Sequence, residues 1–173
     1  APNHIQARFI LEGLATYEES LRTRGGRLRS SIWDMTLRAD ALEDRLVTLD
    51  QLANGPNRWP HGNIWYLYGS YLMQYVADRY GHDALARMSS EYGSMAAPWQ
   101  MSRAIQRATG RTWEELYDDF LDATRARYAQ QRRVIASQGI AEGFALTAQG
   151  ETVRNPRFLP DGSLLYETSD GES

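Results

Sequence analysis

Cysteine is absent from the 173-residue chain. That excludes disulfides and thiolate metal sites, and it leaves the compartment open. Histidine is scarce. His4, His61 and His82 are the three present, and no H-E-x-x-H motif occurs. No apolar run approaches the roughly 18 residues of a membrane-spanning helix, so no transmembrane segment is expected. Charge of one sign never accumulates in a long block, and the net charge is −3. That balance argues against nucleic acid as the main partner. The chain opens Ala1-Pro2-Asn3, with neither a basic stretch nor an apolar stretch behind it. No signal peptide is expected within this segment.

What is present is ordinary for a soluble globular protein. Hydrophobic residues make up 42% and charged residues 24%, and the mean hydropathy is −0.56. The length suits one domain with a small appendage, and folding would bury roughly 70% of the unfolded surface. Two segments differ in character. Residues 1–137 read as a helical unit and residues 138–173 as strands and turns. The fold class expected is therefore mainly α, a bundle of six to seven helices with a short C-terminal β-hairpin.

Helix punctuation is plain along the first segment. Gly81, Gly93 and Gly110 sit where helices should end, because glycine takes the left-handed conformation cheaply. Thr48 with Gln51, and Thr112 with Glu115, fit the capping box. Asn63 suits an N-cap after the loop 56–62. The spacing predicts helices over 7–24, 28–45, 48–54, 63–80, 83–92, 98–109 and 112–136. The helix at 63–80 carries apolar residues on two faces, which places it among other helices. Gly69 and Ser70 would admit another backbone on its Tyr66 side.

In the second segment, Pro160-Asp161-Gly162 lies between two strand-like runs. Proline presets φ, aspartate caps the turn and glycine accepts positive φ. Asp170-Gly171 marks a further turn. The stretch Asn155-Pro156-Arg157-Phe158-Leu159-Pro160-Asp161-Gly162, followed by Leu164-Leu165-Tyr166, resembles the P-x-F-S-P-D-G blade signature of TolB-type β-propellers. Leu159 stands where that family usually has serine. The resemblance implies that residues 138–173 are the first strands of a propeller whose remainder is a partner of this segment. Two strands alone are marginal in water, so the tail is expected to pack on the bundle or to pair with a strand from another chain.

Phe9-Ile10-Leu11-Glu12-Gly13-Leu14-Ala15 resembles the W-L-x-E-G-[LF]-A segment of gluzincin zinc peptidases, the aminopeptidase N-like class. Tyr66-Leu67-Tyr68-Gly69 is similar to a Y-x-x-G segment that begins a later helix in these enzymes. Ala108 to Leu116 is similar to the helix–glycine–helix hairpin that closes the helical region of the compact bacterial members. The resemblance covers residues 1 to about 130. Phe9 replaces the family's tryptophan, and Leu11 replaces a polar residue.

The resemblance implies a zinc site in the intact parent. Glu12 would be the third ligand, after two histidines of an upstream H-E-x-x-H that also carries the general base. Tyr66 would donate a hydrogen bond to the developing oxyanion, and Thr16 would support Glu12 one helical turn on. The substrate would be a peptide or protein, and the missing N-terminal half of the domain would be the essential partner. A periplasmic or extracellular location is also implied. Alone, the chain would bind zinc weakly and hydrolyse nothing. Glu12 and Tyr66 are expected to face one cavity with their oxygens within roughly 10 Å of each other.

The residues themselves leave other readings open. A glutamate early in a helix is commonly solvated and favoured by the helix dipole. A tyrosine in Tyr66's position is commonly a packed aromatic. The chain would then be a non-catalytic helical scaffold or interaction module attached to a propeller. His61, just before Tyr66, lines a substrate cleft or sits on a loop surface. His4 reads as an exposed terminal residue, and His82 with Asp83 as a helix start. Glu18 and Glu19 form a carboxylate cluster with Glu12 or an exposed acidic face. Arg125, Arg127, Arg132 and Arg133 form a basic patch or complement a helix C-terminus.

Overall fold

Seven helices and one β-hairpin make up the computed structural model, which describes residues 6–95, 101–141, 143–148 and 152–169. The helices are α1 (Arg8–Arg22), α2 (Ser31–Leu42), α3 (Leu49–Asn54), α4 (Ile64–Tyr80), α5 (His82–Ser94), α6 (Met101–Thr109) and α7 (Trp113–Ser137). One-turn 3-10 helices lie at Arg27–Arg29 and His61–Asn63. The strands are β1 (Thr152–Phe158) and β2 (Leu164–Ser169). The chain divides into two compact units, Ala1–Ile135 and Ala136–Ser173.

In the first unit α4 is the central element. Its apolar residues lie on more than one face, and ten of its seventeen residues are buried, with Asp78 and Arg79 exposed in the last turn. Ile64, Leu72 and Val76 are wholly inaccessible, each worth about 1.5–3 kcal/mol of transfer free energy. Packed against α4 is α1, whose buried Phe9, Ile10, Gly13, Thr16, Tyr17 and Ser20 recur at helical spacing. The two helices touch backbone to backbone. A Cβ on Gly13 would lie 2.5 Å from the Gly69 carbonyl carbon, and one on Gly69 would lie 2.9 Å from Gly13 Cα. Only glycine fits on either side of this crossing. Along α7, Trp113, Leu116, Tyr117, Phe120, Leu121, Thr124 and Tyr128 form one buried stripe.

The helix ends follow local chemistry. Both capping boxes form: Gln51 N–H donates to Thr48 Oγ1 at 3.2 Å, and Glu115 N–H to Thr112 Oγ1 at 3.2 Å, with each N3 side chain reaching back. Gly81 (φ 86°) and Gly110 (φ 78°) terminate α4 and α6.

Three expectations need correction. The predicted helix 28–45 is a 3-10 turn followed by α2, with Ser30 extended between them. The reason is a dock onto the end of α1: Leu28 N–H donates to Ser20 Oγ at 3.1 Å, and Arg29 donates to the Ser20 carbonyl. Gly93 does not end a helix but lies in the last turn of α5. Asn63 occupies the N-cap position of α4 without a side-chain cap.

In the second unit, β1 and β2 pair antiparallel with Phe158 opposite Leu164 and Arg154 opposite Glu167. A bulge between Arg154 and Arg157 coincides with Asn155 at φ 52°. The turn is built as its residues dictate. Gly162 N–H donates to the Leu159 carbonyl at 3.0 Å, Gly162 takes φ 84°, and Asp161 Oδ1 accepts from Ser163 N–H at 2.9 Å. Phe158 remains 75% exposed, while Leu164 and Tyr166 are half-buried. The turn at Asp170-Gly171 lies outside the described residues.

Candidate functional site

Glu12 precedes Gly13, and Tyr66 lies one turn before Gly69. The close crossing of α1 and α4 brings the two segments together, near enough for Glu12 to act on the Tyr66 phenol. Tyr66 is half-buried. Burial pushes its phenol pKa above the ordinary value, and the Glu12 carboxylate adds to the shift as hydrogen-bond acceptor and as negative charge; Arg27 and Arg8 oppose it.

Arg27 closes one side of the pair. Its guanidinium carbon stands 4.9 Å from the Tyr66 ring centre and 5.6 Å from that of Trp33. Glu19 holds it there, accepting from Nη2 at 2.7 Å and Nε at 3.1 Å. Arg8 stacks on the neighbouring Trp65 at 4.9 Å.

The other residues singled out in the sequence fall into different places. Thr16 is fully buried, and its Oγ1 has no hydrogen-bond partner among the described residues. It does not bond Glu12. His61 is exposed on the loop before α4 at φ 50°, and it lines a cavity of about 320 Å³ together with Arg27. Glu18 pairs with Arg22 at 2.8 Å, so Glu18 and Glu19 are engaged by arginines rather than clustered with Glu12. His82 begins α5, its Nδ1 3.3 Å from the Tyr17 hydroxyl. Arg127 pairs with Asp34 at 2.9 Å and Arg125 with Asp122 at 3.1 Å. His4 lies outside the described residues.

Comparison with protein-family models, with curated proteins and with solved structures finds no match. A catalytic zinc takes three protein ligands. Among the described residues no three histidine, cysteine, aspartate or glutamate side chains converge.

Sequence reasoning missed one polar centre. Asp40 on α2 is 7% exposed, accepts from the Tyr68 hydroxyl at 2.6 Å and forms an ion pair with Arg58. Arg58 also donates to the Arg45 carbonyl at 2.7 Å. These bonds fix the loop 56–62 that carries His61. The sequence signal was a charged residue on the helical face shared by Thr36 and Leu37.

Proposed function

We propose that residues 1–137 are the C-terminal half of a gluzincin-like zinc peptidase domain, and that residues 138–173 open a TolB-type β-propeller. The observation that carries this reading is the glycine-to-glycine crossing that pairs Glu12 with Tyr66, 54 positions apart in sequence. The two segments that resemble the family supply both the glycines and the side chains. The exposed apolar residues of the hairpin, Phe158 and Leu165 among them, suit a first blade awaiting its neighbours.

In the complete domain, zinc would lower the pKa of a bound water and polarise a peptide carbonyl. The two histidine ligands and the general base would come from the upstream half, and this chain alone would be silent. Glu12 would be this segment's ligand. Tyr66 would donate its proton in a hydrogen bond to the oxygen that gains negative charge, an interaction worth roughly 2.7–4 kcal/mol in comparable sites. The substrate would be a peptide or protein, and the compartment periplasmic or extracellular.

A second reading is a non-catalytic helical scaffold braced against the propeller. It is favoured by the Arg27 stack and the Glu12–Tyr66 pair, which stitch α1, the 27–29 turn and α4 together without any metal. The test is Tyr66→Phe in a chain extended upstream to include the other half of the domain. The peptidase reading expects kcat to fall about 100-fold with KM little changed. An extended chain with no peptidase activity, or a Tyr66→Phe variant with full kcat, sinks it in favour of the scaffold.

A further inference from the structure

The cavity of about 320 Å³ lies between the 27–29 turn, the start of α2 and the loop before α4. Ile32, Trp33, Trp59, Pro60 and Leu67 form its apolar walls, and Arg27, Thr36, His61 and Asn63 line the rest. Arg27 is also the residue stacked on Tyr66, so the cavity reaches the Tyr66 ring through one side chain. Ile32 is 61% and Trp59 60% exposed, which leaves large apolar surfaces open to water.

The loop wall is fixed in advance. Arg58 is tied to Asp40 and to the Arg45 carbonyl, and His61 N–H donates to the Arg58 carbonyl at 2.6 Å. His61 itself is held at φ 50°, a conformation that residues other than glycine seldom adopt. A preformed apolar recess with few polar groups is the usual form of a ligand site, and its volume lies at the small end of that class.

Charge narrows the occupant. No aspartate or glutamate lines the cavity among the described residues. A lysine or arginine side chain entering it would find no carboxylate in the lining. An acidic side chain gains little, because Glu19 already neutralises Arg27. What remains is an uncharged, bulky apolar side chain.

We propose that this cavity is the subsite that receives a bulky, uncharged apolar side chain of the peptide presented to Glu12 and Tyr66. The proposal rests on the peptidase reading for its role, but its binding step needs no metal. The experiment is a titration of the chain with capped tripeptides carrying Phe, Ala or Lys at the centre, followed by the indole N–H resonances of its five tryptophans. The Phe peptide is expected to move the Trp33 and Trp59 signals with a Kd of about 1 mM, roughly tenfold tighter than the Ala or Lys peptide. Trp59→Ala should weaken it about tenfold, with the helical circular dichroism unchanged. Gly93→Ala, on α5 and outside the cavity lining, should leave it unchanged. Equal binding of Phe and Lys, shifts confined to other tryptophans, or no saturation by about 10 mM would each overturn the subsite. Failure of zinc binding in the extended chain, with Phe binding intact, removes only the metal reading.

Discussion

Replacing Gly69 with alanine puts a methyl group where α4 meets the backbone of α1. The new Cβ would lie 2.9 Å from Gly13 Cα and against the Phe9 carbonyl oxygen. Both neighbours are backbone atoms of a regular helix, so no side chain can swing aside. Alanine in a helix interior gains about 1 kcal/mol over glycine. Overpacking a close-packed contact costs about 1–3 kcal/mol, and a backbone-on-backbone clash belongs at the upper end. The net expectation is a loss of about 2 kcal/mol, or about 4–8 °C in Tm for a chain of this size. Gly93→Ala is the control, since Gly93 lies in α5 and a methyl group there would meet nothing within 4 Å. It should gain about 0.5–1 kcal/mol. Thermal unfolding by circular dichroism reads both. A Gly69→Ala variant as stable as Gly93→Ala would refute the close crossing, and with it the reason Glu12 and Tyr66 meet.

Two further outcomes follow from the tyrosines. Glu12→Gln should lower the Tyr66 phenol pKa toward its ordinary 10.0, because it removes the acceptor charge that helps to raise it; a difference-absorbance or ring-labelled NMR titration that finds no change would separate the pair. Burial raises Tyr71 to about 12 and pushes Tyr68, Tyr117 and Tyr128 higher still. Their folded values exceed the unfolded one, so their contribution is intact below about pH 10 and is lost as pH rises through the folded values. Above about pH 10, stability should fall by about 1.4 kcal/mol per pH unit for each such tyrosine, and urea midpoints flat up to about pH 12 would contradict this.

Much of the fold was legible because its signals are local. Gly81 and Gly110 end helices by accepting positive φ, and both capping boxes act within four residues. Pro160-Asp161-Gly162 encodes its turn in the same way. Gly69 also announced a close approach, although its partner Gly13 was singled out for a different reason. What was not legible depends on contacts distant in sequence. Nothing at Ser30 says that the predicted 28–45 helix breaks; the dock of Leu28 and Arg29 onto Ser20 decides it. The Asp40–Arg58–Tyr68 centre joins residues 18 and 28 positions apart. Arg27 reads as one of many surface arginines until Trp33 and Tyr66 are seen on either side of it. Gly93 shows the converse, a terminator tolerated inside a last turn because its surroundings leave it free.

Zinc binding, compared between this chain and one extended upstream with Glu12→Gln made in both, decides whether Glu12 is a metal ligand. By isothermal titration this chain should bind zinc no tighter than about micromolar, since on the peptidase reading it would contribute one of the three ligands a catalytic zinc takes. The extended chain should bind one zinc tightly, and Glu12→Gln in it should cost at least about tenfold in affinity. Tight stoichiometric binding by the short chain, or an extended chain whose zinc affinity ignores Glu12→Gln, would contradict the account.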